Sequence, residues 1–127
     1  MLSISASDYR KACKELVHSV LKHPRMYFEA LREFESVMQG HATAFGQLAS
    51  IDREEMFPSQ FSDWLYKHKG LSCASGWAYA LEEQCRQSGD DVLKVFGDYA
   101  NRFFDEWHDE KSQMLSKVTN GVSDGPE

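Results

Sequence analysis

The chain has 127 residues, the size of a typical single domain, and its 42% hydrophobic and 27% charged content excludes disorder over most of its length. No stretch approaches the ~20 apolar residues of a membrane-spanning helix, and the N-terminus lacks the basic and apolar regions of a secretion signal. Its three cysteines, Cys13, Cys73 and Cys85, have no CxxC spacing, which favours a reducing compartment over a disulfide framework. We therefore expect a cytoplasmic protein.

The first two helices are predicted from apolar residues that recur every three to four positions. Ser5 and Asp8 have the spacing of a capping box, and Pro24 disfavours helical dihedrals in the residue before it. The first helix is therefore expected over about 6–22, and a second one over about 29–49.

Three further helices are predicted in the second half of the chain. Pro58 and Ser59 open a short third helix, which Gly70 stops. A fourth helix begins near Trp77, and the fifth and longest is expected over about 90–115.

The sequence as a whole predicts an all-α fold. It contains neither the apolar and polar alternation of strands nor a hairpin signal between apolar runs, although a short extended segment within 67–76 is an alternative. We expect a single compact bundle of about five helices over residues 1–118, followed by a disordered tail over residues 119–127.

Charge is distributed unevenly along the chain. Residues 1–50 carry six Lys and Arg against five Asp and Glu, whereas residues 51–127 carry eight against fifteen, a balance of −7. Nucleic-acid-binding proteins present a clustered basic surface, because neutralising phosphates supplies much of their affinity. Direct nucleic-acid binding is therefore disfavoured, and attraction to a basic protein is allowed.

The acidic residues of the predicted fifth helix follow a regular pattern. Four aspartates at spacings of seven, seven and four fall on one side of this helix: Asp91, Asp98, Asp105 and Asp109. They form either an ordinary solvated face or a patch that attracts a basic partner. A third possibility is pairing with a basic stripe on the first helix, which consists of Lys11, Lys14, His18 and Lys22.

The sequence contains none of the common short motifs for metal binding or nucleotide binding. The histidines and cysteines have neither HExxH nor CxxC spacing, and no glycine-rich phosphate loop occurs, so neither a metal nor another cofactor is expected. His41 lies on the apolar side of the second helix, where a hydrogen-bonded core histidine is the commoner interpretation. The alternative is a small enzyme or a ligand- or metal-binding bundle that uses His41, Glu35 and Tyr27.

Several short motifs follow one another along the chain: Pro24-x-Met26-Tyr27, Gly40-His41-x-x-Ala44-Phe45, Phe57-x-x-x-Phe61-x-x-Trp64-Leu65, Ser75-Gly76-Trp77-Ala78-x-Ala80-Leu81 and Phe103-Phe104-x-Glu106. Their order resembles a widespread family of small all-helical bacterial proteins, many of which serve as immunity proteins for polymorphic or contact-dependent growth-inhibition toxins. The resemblance covers residues 23–107, with His23 and His41 where the family usually has arginine and tyrosine.

The resemblance implies a protein without enzymatic activity that binds and neutralises a cognate toxin. A basic nuclease-type toxin would fit the acidic stripe, whose carboxylates would stand where substrate phosphates bind. Glu82 and Glu83 are the next candidates for toxin contact. The motif residues are assigned to the scaffold: Pro24, Met26, Tyr27, Gly40, Trp64, Gly76 and Trp77. A regulatory adaptor that dimerises through its aromatic residues is a further alternative.

Overall fold

A computed structural model describes residues 5–23, 30–49 and 51–107, and every regular element within these ranges is helical. The five α-helices are α1 (Ala6–Lys22), α2 (Leu31–Ala49), α3 (Phe57–Lys69), α4 (Trp77–Ser88) and α5 (Val92–Glu106). A single 3₁₀ turn, Arg53–Glu55, lies between α2 and α3. The predicted all-α bundle is confirmed. None of the described helices is long and apolar enough to cross a membrane.

Most helix boundaries agree with the local sequence signals. Ser5 and Asp8 form the predicted capping box, in which each side chain accepts the other residue's backbone N–H at 3.1 Å. Gly70 ends α3 in the left-handed conformation at φ 66°, as glycine does readily. At the start of α5, the Asp91 carboxylate accepts the Leu93 N–H at 3.1 Å.

The predicted length of α5 is wrong. The helix ends at Glu106 rather than near residue 115, because Trp107 adopts an extended backbone conformation at φ −81° and ψ 109°. Its indole is buried, and it packs 4.9 Å from the Phe103 ring and 6.0 Å from the Tyr9 ring, measured between centroids. Burial of the indole thus accompanies the end of the helix. The predicted tail over residues 119–127 lies outside the described residues.

All five helices contribute to the core, which contains a cluster of aromatic side chains from α3, α4 and α5. Trp77 is stacked on Phe96 with ring centroids 5.3 Å apart, and it meets Phe57 and Phe61 edge-on at 5.8 and 5.4 Å. All four side chains are essentially inaccessible to solvent. Burying each such side chain contributes about 1.5–3 kcal/mol, so this cluster is a main source of stability.

Two antiparallel helix pairs set the positions of the charged surfaces. Helix α1 runs against α5, since Tyr9 contacts Trp107 while His18 contacts Asn101. Helix α2 runs against α4 in the same way, with an ion pair from Arg32 to Glu82 near one end of the contact. Helix α5, which carries the predicted acidic stripe, therefore packs against α1, which carries the predicted basic stripe.

Tyr9→Phe is expected to lower the free energy of unfolding by about 1–3 kcal/mol. The buried Tyr9 hydroxyl accepts the backbone N–H of Phe57 at 2.9 Å, and this N–H opens α3 without a partner inside its own helix. Urea unfolding measures the change, with Tyr66→Phe as a control because Tyr66 is 67% exposed. Equal stabilities of the two variants would show that this hydrogen bond contributes nothing.

Candidate functional site

Three of the four predicted stripe residues lie on the outer side of α5. Asp91, Asp98 and Asp105 are all exposed, whereas the opposite side of the helix buries Phe96 and Phe103. The first and last of the three are fourteen positions apart, which corresponds to about 21 Å along a helix. Asp109, the fourth predicted member, lies outside the described residues.

The three carboxylates differ in the hydrogen bonds and ion pairs that they form with the rest of the described chain. Asp91 caps its own helix through the Leu93 N–H. Asp98 forms an ion pair with Arg102 at 3.3 Å, and both side chains are more than half exposed. Asp105 forms neither an ion pair nor a hydrogen bond with any described residue. Exposed pairs of this kind contribute little to stability, so the stripe remains available to a partner.

The basic stripe of α1 does not neutralise these aspartates by direct contact. The two helices are joined by a hydrogen bond of 2.9 Å between His18 Nε2 and Asn101 Oδ1. Within the described residues, no ion pair of 4.0 Å or less connects the lysines of α1 to the α5 aspartates. The intramolecular pairing considered from the sequence is therefore not formed there.

Glu82 and Glu83 are placed differently from the α5 stripe. Glu82 bonds to the Arg32 guanidinium of α2 at 3.0 Å. Glu83 accepts from Arg86 Nε at 3.2 Å, and this hydrogen bond lowers the pKa of the Glu83 carboxyl. The structure thus pairs both predicted contact residues with arginines and does not join either one to the α5 aspartates.

His41 lies in a largely aromatic environment at the contact of α1 and α2. Its ring centroid is 4.8 Å from that of Phe45 and 5.7 Å from that of Tyr9. Burial lowers the pKa of His41, which favours the neutral imidazole. Cys13 Sγ lies 3.9 Å from His41 Nδ1, but burial raises the pKa of this thiol to about 12. A nucleophilic thiolate is therefore disfavoured at this pair.

Glu35 lies on the side of α2 that faces α4 and has a structural partner there. Its carboxylate accepts the Trp77 N–H at 3.1 Å and also receives the Ala78 N–H. It thereby caps the first turn of α4, which has no side-chain cap of its own. This cap from a distant helix was not predicted, although Gly76 directly before Trp77 indicated that the helix began without an Asp, Asn, Ser or Thr cap.

The enzyme or ligand-binding site considered from the sequence is not assembled in the described ranges. The Glu35 carboxylate accepts a hydrogen bond from the start of α4, whereas His41 contacts Tyr9 and Phe45. Tyr27 lies outside the described residues. Within the same ranges, no group of three or more His, Cys, Asp or Glu side chains is arranged so that it could hold a metal ion. The acidic stripe is the predicted site that the structure leaves accessible.

Among the residues assigned to the scaffold, Pro24, Met26 and Tyr27 lie outside the described residues. Trp64 and Trp77 are buried, and Gly76 lies against the Glu35 carboxylate. Gly40 is exposed, and a Cβ placed there would meet no described atom within 4 Å apart from its neighbours in the same helix. Close approach of another element, a common reason for glycine inside a helix, is therefore not seen at Gly40 in this part of the chain.

No protein family, curated protein or solved structure matches the chain.

Glu35→Gln is expected to change how stability depends on pH. Burial outweighs the N–H bonds and raises the pKa of Glu35, so the folded state holds this proton more tightly than the unfolded state. The stability contributed by the protonated group is present below the ordinary glutamate pKa. It is lost as pH rises through the higher folded-state value. As the pH rises, the free energy of unfolding of the natural protein should therefore fall relative to that of the Glu35→Gln variant.

Denaturant unfolding of both proteins from about pH 4 to about pH 8 measures this difference. The same substitution at the exposed Glu54 corrects for the loss of one carboxylate. A difference that stays constant, or that grows in favour of the natural protein as pH rises, would contradict the prediction.

Proposed function

We propose that this protein is a cytoplasmic immunity protein, which binds a basic toxin domain through the acidic side of α5 and blocks its active site. The toxin would be of the nuclease type, and carboxylates of the stripe would occupy the cleft in place of substrate phosphates. The protein would act by occlusion, without chemistry of its own. The resemblance of the motif order to immunity proteins supports this proposal, as does the balance of −7 over residues 51–127.

The exposure of the aligned aspartates is the observation that carries the proposal. Asp91, Asp98 and Asp105 extend for about 21 Å along one helix, and no α1 lysine is bonded to them within the described chain. A row of like charges at the surface attracts an oppositely charged protein over about a Debye length, which is roughly 8–10 Å at ordinary salt concentrations. The row thus favours fast encounter with a basic surface.

The buried motif residues support a division between scaffold and contact surface. Trp64 and Trp77 are 7% and 1% exposed and pack in the aromatic core. They stabilise the bundle and are not exposed for contact with a partner. Toxin recognition would then depend on the exposed residues of α5, which can vary without disturbing the core.

A paired co-expression experiment tests the proposal. The chain is produced together with the C-terminal region of the protein encoded immediately upstream, and cell survival and co-elution are measured. We expect survival together with a stable complex. A catalytically inactive form of the toxin region provides the purified partner, and an unrelated toxin domain of similar charge provides the specificity control. Absence of both rescue and complex would refute the proposal for that pair.

A further inference from the structure

A groove lies on a different part of the bundle from the acidic stripe. It is enclosed by the C-terminal half of α2, the segment that follows α2 and the beginning of α3, and its volume is about 540 Å³. This is within the range of roughly 300–1,000 Å³ that is common for small-molecule sites. The described residues that line it are Gln39, Ala42, Thr43, Gly46, Gln47, Ile51, Arg53, Met56, Pro58 and Ser59.

One part of the groove is apolar, and a glycine keeps it open. Ala42, Ile51, Met56 and Pro58 contribute hydrocarbon surface. A Cβ placed at Gly46 would lie 3.3 Å from Met56 Cε, which is tighter than an ordinary van der Waals contact. A larger side chain at Gly46 would therefore compete with any molecule in the groove. A short apolar chain matches this surface.

Arg53 is the charged residue among the described lining side chains. Its guanidinium forms no ion pair or side-chain hydrogen bond with the rest of the described chain. Gln39, Gln47 and Ser59 add neutral donors and acceptors, while the Thr43 hydroxyl already donates to the Gln39 carbonyl at 3.0 Å. The groove thus combines an apolar surface with one available planar cation, whose geometry suits a carboxylate.

From this combination we propose that the groove binds a small monocarboxylate with a short apolar chain. The carboxylate pairs with the Arg53 guanidinium, and the chain lies against Ile51 and Met56. A doubly charged phosphate is less suitable, because the one guanidinium among the described lining residues balances a single negative charge. This proposal is independent of toxin binding, since none of the α5 aspartates lines the groove.

Hexanoate and its neutral analogue hexanamide are suitable probes, because they share an apolar chain and differ in the charged head. In an NMR titration we expect hexanoate to shift the backbone amide signals of Gly46, Ile51 and Ser59 in a saturable manner. Hexanamide should bind at least about ten-fold more weakly, the ratio that corresponds to about 1.4 kcal/mol. Absence of saturable shifts with hexanoate, or equal binding of the two probes, would overturn the proposal.

Two pairs of matched variants locate the binding site. Arg53→Gln should abolish the preference for hexanoate, while Lys67→Gln removes the same charge from an exposed position outside the groove and should leave the preference intact. Gly46→Leu should weaken both probes by filling the groove. Gly40→Leu makes the same change in the same helix at an open position and should leave binding unchanged.

The dispersion of the amide spectrum shows whether each variant remains folded. If Gly46→Leu does not fold, the Arg53→Gln comparison alone decides the proposal. Retention of the hexanoate preference in Arg53→Gln would refute the carboxylate pairing. Loss of binding in the α5 aspartate variants would refute the independence of the two sites.

Discussion

Gly76→Ala is expected to lower the free energy of unfolding by about 3 kcal/mol or more, from the sum of backbone strain and a lost helix cap. Gly76 has φ 104° and ψ 148°, close to a region that side-chain-bearing residues almost never adopt. A Cβ at this position would lie 2.8 Å from both carboxylate oxygens of Glu35. The carboxylate would have to move, and the Trp77 N–H would lose its partner.

The strain and the lost cap can be separated experimentally. Gly89→Ala places a side chain at φ 82° with no atom within 4 Å, so it measures positive-φ strain without a clash; about 1–2 kcal/mol is expected. In a Glu35→Ala background, Gly76→Ala should likewise cost only the backbone strain. Denaturant unfolding of the four-protein cycle gives each contribution. A Gly76→Ala variant as stable as Gly89→Ala would show that contact with Glu35 is unimportant.

Simultaneous replacement of the four stripe aspartates by asparagine is expected to slow toxin association by about ten-fold or more at low salt, because electrostatic steering raises association rates by 10–10³. The change involves Asp91, Asp98, Asp105 and Asp109. Asparagine keeps the size of each side chain, and at Asp91 it also keeps a good helix cap. The effect should shrink as salt rises, because ions screen exposed charges.

The control for this experiment replaces four acidic residues outside the stripe by the corresponding amides, Asn for Asp and Gln for Glu: Asp52, Glu54, Glu55 and Asp63. Stopped-flow association with an inactive toxin domain, measured at several salt concentrations, compares the two variants. The two variants carry the same net charge. A lower association rate for the stripe variant would therefore show that the position of the acidic residues matters. Equal rates for the two variants would show that total charge, rather than the α5 stripe, controls the encounter.

Local signals in the sequence were sufficient to predict most of the fold. Ser5 and Asp8 define the start of α1, and Gly70 defines the end of α3, because each acts on backbone groups within a few residues. The end of α5 was mispredicted because the apolar spacing continues through Trp107, whereas the Trp107 backbone is extended and its indole packs against Tyr9, which is distant in the sequence. Helical periodicity contains no information about such contacts.

The candidate site was predictable to a similar extent. The spacing of Asp91, Asp98 and Asp105 was enough to place them on one side of a helix. It could not decide whether the lysines of α1 would bond to them, because that depends on the packing of two helices far apart in the sequence. The ion pair between Glu82 and Arg32 could not be predicted for the same reason.

The contact between Tyr9 and Trp107 also bears on how the protein is made. These rings come from opposite ends of the described chain, 98 positions apart (107 − 9), yet they pack against each other. During synthesis, Tyr9 leaves the ribosome long before its partner exists, and the bundle cannot close until α5 has followed. Long-range closure of this kind slows folding relative to a bundle with only neighbouring contacts. A nascent chain that stops before α5 would therefore leave Trp77 and Phe61 without the Phe96 and Phe103 rings that pack against them.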